Sequence, residues 1–206
     1  MKTWISLLLL CSTCAFSHEL LARNQAEEPV ALVEQITGRI FSDISENLEI
    51  YTANPEGLQE LVRTELIPLL DIAFASRLIL GRAGRDIDQP KIDEFANAMT
   101  ELLIDRYAAG LLHFNSEIEL QVLPQRGELN EKVTQVRSRV KLSNGKEAPV
   151  DYAFHKTADG WKAFDVIIEG ISYITTYRNQ IMPEVQANGI DSVIQRLNKG
   201  ELELSD

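Results

Sequence analysis

The chain has 206 residues, 45% apolar and 25% charged, which is the composition of an ordinary globular chain and not of a disordered, collagen-like or multi-pass membrane protein. With 31 Asp and Glu against 20 Lys and Arg, the formal net charge is −11. That sign argues against a nucleic-acid partner, because phosphate backbones are bound by clustered Lys and Arg that displace counterions. It argues equally against a standing attachment to an anionic membrane, where each base near the surface contributes about 1 kcal/mol.

Residues 1–17 read as a secretory signal peptide. Lys2 precedes an apolar run from Trp4 through Leu10 to Phe16, and Ala15 and Ser17 form a small-x-small cleavage pattern. The run falls short of the ~20 apolar residues that cross a bilayer, so export is expected and a spanning helix is not. Both cysteines, Cys11 and Cys14, lie in this leader, and neither follows the small residues of a lipoprotein cleavage site. Residues 18–206 then form one expected domain without cysteine, and about 190 residues suffice to hold a core without disulfides. A cysteine-free exported domain fits a bacterial periplasm better than a secreted eukaryotic scaffold.

After a polar leader, Val33, Ile36, Ile40, Ile44, Leu48 and Tyr51 recur at three- and four-residue spacing, the pattern of one helix with one apolar face. Asn54-Pro55 is a helix-start signal: Asn caps free N–H groups and Pro suits the first helical position. Leu58, Leu61, Val62, Leu66 and Leu69 continue that helix until Pro68 bends or ends it, and residues 71–80 predict a short helix stopping at Gly81. From Pro90 the face Ile92, Phe95, Ala96, Met99, Leu102, Leu103, Tyr107, Leu111 and Phe114 marks the longest helix.

The period then changes to two. Ile118, Leu120 and Val122 alternate with polar residues, as do Val136, Ser138, Val140 and Leu142, which predicts strands with one wet face. Asn144-Gly145 and Asp159-Gly160 are type I′ hairpin signals, so strands near 148–156 and 161–169 should pair antiparallel in a meander of about four strands. The last strand is apolar on both faces, through Ala163, Phe164, Val166, Ile167 and Ile168, which predicts helices over it or a cavity beside it. Helices near 171–187 and 190–199 follow, giving an α+β fold with helices against one side of a curved sheet.

Few motifs carry chemistry. Gly170-Ile171-Ser172-Tyr173-Ile174 sits between strand and helix like a nucleophile elbow, but the final Gly is absent and the sheet is antiparallel, so Ser172 reads as a helix cap. His18, His113 and His155 are not paired at ligand spacing, so no metal site is expected. The 81–85 stretch lacks the Lys-Ser/Thr of a P-loop. Arg77, Arg82 and Arg85 gather at a helix C-terminus, either complementing its dipole or contacting an anionic headgroup or acidic partner.

Three stretches resemble the MlaC (Ttg2-type toluene tolerance) family of periplasmic phospholipid-binding proteins. The first is Ala53-Asn54-Pro55 with Glu65-Leu66-Ile67-Pro68-Leu69-Leu70-Asp71. The second is Ala75-Ser76-Arg77-Leu78-Ile79-Leu80-Gly81. The most specific is Gly160-Trp161-Lys162-Ala163-Phe164-Asp165-Val166-Ile167-Ile168-Glu169-Gly170-Ile171-Ser172 with Thr175, Thr176, Tyr177 and Arg178, ending in Gly189-Ile190-Asp191. The order of these stretches, the leader and the length match over nearly the whole chain. The loop 81–88 departs from the family in lacking the aromatic residues that many members carry there.

The resemblance implies an NTF2-like fold with an apolar pocket between helices and sheet that holds the acyl tails of a diacyl phospholipid, its headgroup facing water. It implies a periplasmic shuttle between an outer-membrane lipoprotein complex and an inner-membrane ABC transporter complex, maintaining outer-membrane lipid asymmetry. It asks for no catalytic residue and no cofactor other than the lipid cargo. A monomer that touches membranes only through its partners is expected. Within such a fold, Phe74, Leu78, Met99, Leu103, Tyr107, Phe154, Phe164, Val166 and Ile168 are the expected pocket lining, and Arg77, Arg82 and Arg85 the headgroup or partner contact. Rival readings are a hopanoid-associated carrier of the same family, an NTF2-like isomerase or dehydratase using Asp165 as base, and an interaction module whose pocket is filled with side chains.

Overall fold

The computed structural model describes residues 28–113, 119–124, 130, 132–141, 145–202 and 204; residues 1–27, with Cys11, Cys14 and His18, lie outside the described residues, as do Phe114, Ile118, Leu142 and Asn144. Helix α1 spans Pro29–Glu46 and buries Val33, Ile36, Ile40 and Ile44 along one face. It does not run on to Tyr51 as the spacing predicts. At Asn47 (φ −117°, ψ 21°) both the backbone N–H and the side-chain amide bond to the carbonyl of Asp43, ending α1, and α2 resumes at Leu48–Ala53. The Asn side chain competes with the helix ladder for a carbonyl, which is why Asn breaks helices that apolar spacing alone would extend.

Helix α3, Pro55–Leu61, starts on Pro55, although the side chain of Asn54 makes no capping bond. The chain then widens into a π turn at Val62–Leu66 and tightens into a 3₁₀ turn at Ile67–Leu69 around Pro68, leaving Leu70 extended. Asp71 caps α4 (Ile72–Leu80), its Oδ1 accepting from the Phe74 N–H at 2.9 Å. After a 3₁₀ turn at Ala83–Arg85, Asp88 caps α5, Gln89–Tyr107, which finishes as a 3₁₀ segment at Ala108–His113 instead of holding α-helical geometry throughout.

Among the described residues five antiparallel strands follow in sequence order: β1 Glu119–Val122, β2 Val133–Lys141, β3 Glu147–Thr157, β4 Gly160–Ile168 and β5 Ile171–Ser172. The fifth was not expected, because two residues are too few to show alternation. Turn chemistry also differs from expectation. At the β3–β4 turn Gly160 takes a positive φ (106°), Glu169 being the one other-than-glycine residue with positive φ among those described, so this is not the type I′ turn that Asp159-Gly160 predicts. The two-residue turn with both φ positive is Glu169-Gly170 (52° and 85°), between the paired residues Ile168 and Ile171. The C-terminal helices are α6, Tyr173–Asn188, capped by Ser172, and α7, Ile190–Asn198.

Among the described residues the buried apolar side chains form three clusters. Helices α4 to α7 share the largest, around Leu80, Ile92, Phe95, Ile181 and Val193, all fully enclosed. Helices α1 and α3 and the end of α5 share a second around Ile44, Leu58 and Ile104. The third joins Val33 of α1 to Val136, Phe154, Trp161 and Ala163 of the sheet.

Candidate functional site

Strand register sorts the sheet into two faces. Phe154 pairs with Thr134 and Ala163, Tyr152 with Val136 and Val166, and Val150 with Ser138 and Ile168. Paired residues share a side of a sheet, and alternation puts every second residue there. This face therefore carries Val136, Val150, Tyr152, Phe154, Val166 and Ile168, and α1 packs on one end of it through Val33. Phe154 and Val136 are buried, whereas Val150, Tyr152, Val166 and Ile168 are only partly buried. Ser138 is buried beneath them and satisfied, donating its hydroxyl to the carbonyl of Val150 at 2.5 Å. Burial pushes the Tyr152 phenol above its ordinary pKa, a hydrogen bond with Ser138 works against that shift, and the charge of Asp151 adds to it.

The opposite face is polar over β2 and β3 but covered by helix over β4. A register shift between Ala153 and Phe154 leaves Phe164 as an extra residue in β4, a β-bulge that turns its ring out of the alternation. Phe164 meets Phe74 edge-on at 5.2 Å and His155 at 5.4 Å, while Phe74 stacks on His155 at 4.4 Å. His155 Nε2 lies 2.9 Å from Asp71 Oδ2, so one carboxylate both caps α4 and holds this imidazole. Asp165 is likewise occupied: it accepts from the Ser172 hydroxyl at 2.6 Å and from the Ile174 N–H at 3.1 Å, which fixes the junction of β4 and α6.

The nine side chains expected to line one pocket are divided among these regions. Phe154, Val166 and Ile168 share the α1 face. Phe74 and Phe164 belong to the aromatic cluster around His155. Met99, 2% exposed, is enclosed among the helices, Leu78 and Leu103 pack at the margin of the same cluster, and the Tyr107 hydroxyl is 3.1 Å from that of Tyr177. The same face also carries Val150 and Tyr152, which were not among the expected lining; the alternation of β3 contained the signal, since they lie four and two residues from Phe154.

The three expected arginines are brought together, with a fourth. Arg77, Arg82, Arg85 and Arg178 surround a cavity of about 500 Å³ at the C-terminal end of α4, with Leu78 in its wall. Arg178 Nε donates to the carbonyl of Leu78 at 2.7 Å, so the helix end is complemented chiefly by a base from α6. Arg77 instead reaches forward to the carbonyl of Gly84 at 2.9 Å and to Gln89 at 2.5 Å. A second cavity of about 400 Å³ lies between the π turn and α5, and there Arg63 is paired with Glu101 at 2.5 Å. Among the described residues no three His, Cys, Asp or Glu converge as a metal site would require, and no helix is long and apolar enough to cross a membrane.

Comparison with known proteins adds relationship to this geometry. The family described as MlaC protein matches residues 34–199. The intermembrane phospholipid transport system binding protein MlaC of Haemophilus influenzae is 25% identical over 207 residues, covering 97% of this chain and 93% of that one. The toluene tolerance protein ttg2D of Pseudomonas putida is 26% identical over 167 residues, 81% of this chain and 77% of its own. A phospholipid-binding protein from Ralstonia solanacearum, solved in complex with a phospholipid, superposes with a TM-score of 0.77 at 23% identity, over 87% of this chain and 100% of that one.

Proposed function

The chain belongs to the MlaC family, and from that premise we propose that it is a periplasmic carrier of diacyl phospholipid. In this reading it shuttles between an inner-membrane ABC transporter complex and an outer-membrane lipoprotein complex, and so maintains outer-membrane lipid asymmetry. The observation that carries the proposal is the patch of Val150, Tyr152, Val166 and Ile168: four neighbouring apolar or aromatic side chains on one sheet face that the protein's own core leaves partly uncovered. Of the expected lining residues, Phe154, Val166 and Ile168 lie on this face, and the proposal assigns acyl contact to it.

Physical chemistry favours such a device. Two acyl chains carry about 30 methylenes, and at about 0.8 kcal/mol each their transfer to water would cost on the order of 25 kcal/mol, so cargo leaves only into another apolar environment. A bilayer offers nearly the same burial as the carrier. Loading and unloading therefore depend on docked partners that shield the exchange, and the acidic surface keeps the free carrier off anionic membranes. No catalytic step belongs to the proposal, and the carboxylate that an enzyme on this fold would use, Asp165, has both oxygens committed to the β4–α6 junction.

The test is native mass spectrometry with lipid extraction on protein purified without detergent from a Gram-negative host. A stoichiometric mass of a diacyl phospholipid is expected. A bare protein that also takes up no added phospholipid overturns the proposal, and a polycyclic lipid in its place would favour the hopanoid-associated reading.

A further inference from the structure

Among the described residues, four arginines away from the end of α4 are paired with an acid: Arg39 with Glu65, Arg63 with Glu101, Arg139 with Glu147 and Arg196 with Glu184. The arginines around the cavity at the end of α4 have no such pairing. Four of the chain's 20 bases converge on it, no carboxylate lines it, and Arg82 and Arg85 stand exposed with no acidic partner among the described residues. Asp93 reaches Arg77 only through Gln89, and Asp86, next in the chain to Arg85, is not part of the cavity wall. Four cationic side chains line one hollow of a chain whose net charge is −11, and an anion entering it would relieve their mutual repulsion.

The arrangement also separates fixed from free charges. Arg77 is tied to the carbonyl of Gly84 and Arg178 to that of Leu78, so these two guanidinium groups are held in place before any ligand arrives. Arg82 and Arg85 keep their donor forks free. A fork matches the oxygens of a phosphate bidentately, and the free forks of Arg82 and Arg85 suit a tetrahedral phosphate, whose two or three non-bridging oxygens point in different directions, better than a single planar carboxylate. A volume of about 500 Å³ falls in the range of small-molecule sites, about 300–1,000 Å³, and a concave site of that size suits a small group more than the surface of a folded partner.

We propose that the hollow formed by Arg77, Arg82, Arg85 and Arg178 is a binding site for a phosphate ester, with Leu78 giving it one apolar wall. Its natural occupant is a glycerophosphate group, supplied either by the headgroup of a lipid or by a free small molecule. The site is distinct from the apolar sheet patch, so it stands whether or not that patch holds acyl chains.

The test is calorimetric titration of the purified protein at constant ionic strength with inorganic phosphate, glycerol 3-phosphate, dihexanoyl phosphatidylglycerol, an aspartate-rich peptide and sodium chloride. Saturable one-to-one binding of a phosphate compound is expected. It should weaken at least about tenfold in Arg82→Gln/Arg85→Gln, as loss of charge-assisted hydrogen bonds requires, and stay unchanged in Arg139→Gln on the sheet. Binding of glycerol 3-phosphate or inorganic phosphate by itself supports a free-phosphate source, and binding of the dihexanoyl lipid alone supports a headgroup source. Binding of the peptide alone, an equal response to chloride, no saturable binding, or full affinity in the double variant overturns the site. Both replaced residues are exposed, so the fold should survive; if the double variant misfolds, the single variants carry the same test. Native mass spectrometry on that variant separates the two proposals, because acyl cargo should remain bound when phosphate affinity is lost.

Discussion

The helical end and the α1 face of the sheet are built from the same kinds of side chain and finished differently. In the helical cluster Leu80, Ile92, Phe95, Ile181 and Val193 are each 0% exposed. On the sheet, Val150, Tyr152, Val166 and Ile168 stop at partial burial although their pairing is regular and three of the four are equally apolar. A region packed to completion is spent on stability. Apolar surface left part-covered beside a completed core is free energy of burial still to be gained, and a ligand is what can gain it.

The sharpest way to break this comparison is to attack both ends in the same way. Phe95→Ala should cost about 3–5 kcal/mol, the usual price of hollowing a filled aromatic site, and urea denaturation should show the midpoint collapse. Val166→Ala should cost well under half of that, since less of the side chain is enclosed to begin with. Equal losses at the two positions would mean that the sheet patch is ordinary core. Val166→Asp sharpens the contrast further: the protein should remain folded by circular dichroism while co-purifying lipid drops by about tenfold or more, because a carboxylate beside an acyl chain must stay solvated. A folded variant that retains its full complement of lipid would remove Val166 from the binding face.

A smaller effect is expected at the seam between the two regions, where Asp71 joins α4 to the sheet. Asp71→Ala removes the cap of α4 and the partner of His155 together and should cost about 1–2 kcal/mol by urea unfolding. Asp71→Asn retains an oxygen for the Phe74 N–H and should recover part of that loss. Failure of Asn to recover anything would move the energy from the cap to the His155 contact.

Much of this architecture was legible because it is periodic. The faces Val33, Ile36, Ile40, Ile44 and Ile92, Phe95, Met99 come straight from 3.6-residue spacing, and β2 alternates as its sequence does, with Thr134, Val136, Ser138 and Val140 buried. What stayed hidden is aperiodic: the π turn at Val62–Leu66, a two-residue strand, a positive φ at Glu169, and the bulge that rotates Phe164 away from its neighbours. The bulge matters most for the candidate site, because a strict alternation across Ala163 to Ile168 assigns Phe164 and Val166 to one face, whereas the shifted register parts them. The arginine cluster was half legible. Arg77, Arg82 and Arg85 are close in sequence, but Arg178 joins them from a helix some hundred residues away, which only tertiary packing can arrange.

The smallest effect lies where the chain's first helix breaks. The Tyr51 hydroxyl in α2 donates to Asp43 in α1 across the kink at Asn47, and that bond, with some burial and the nearby negative charge, raises the phenol from its ordinary value of 10.0 to about 12. The folded state therefore holds the phenol proton more tightly than the unfolded chain. Its contribution is fully present below about pH 10 and is lost as pH rises through about 12, so stability should fall across that window. Solvent screening limits the effect to a few tenths of a kcal/mol. In urea midpoints compared between wild type and Tyr51→Phe, the gap should be constant from neutral pH to about 10 and close above it. A gap that persists at the alkaline end would mean that the ring's packing against the α1–α3 cluster, and not its proton, ties α2 to α1.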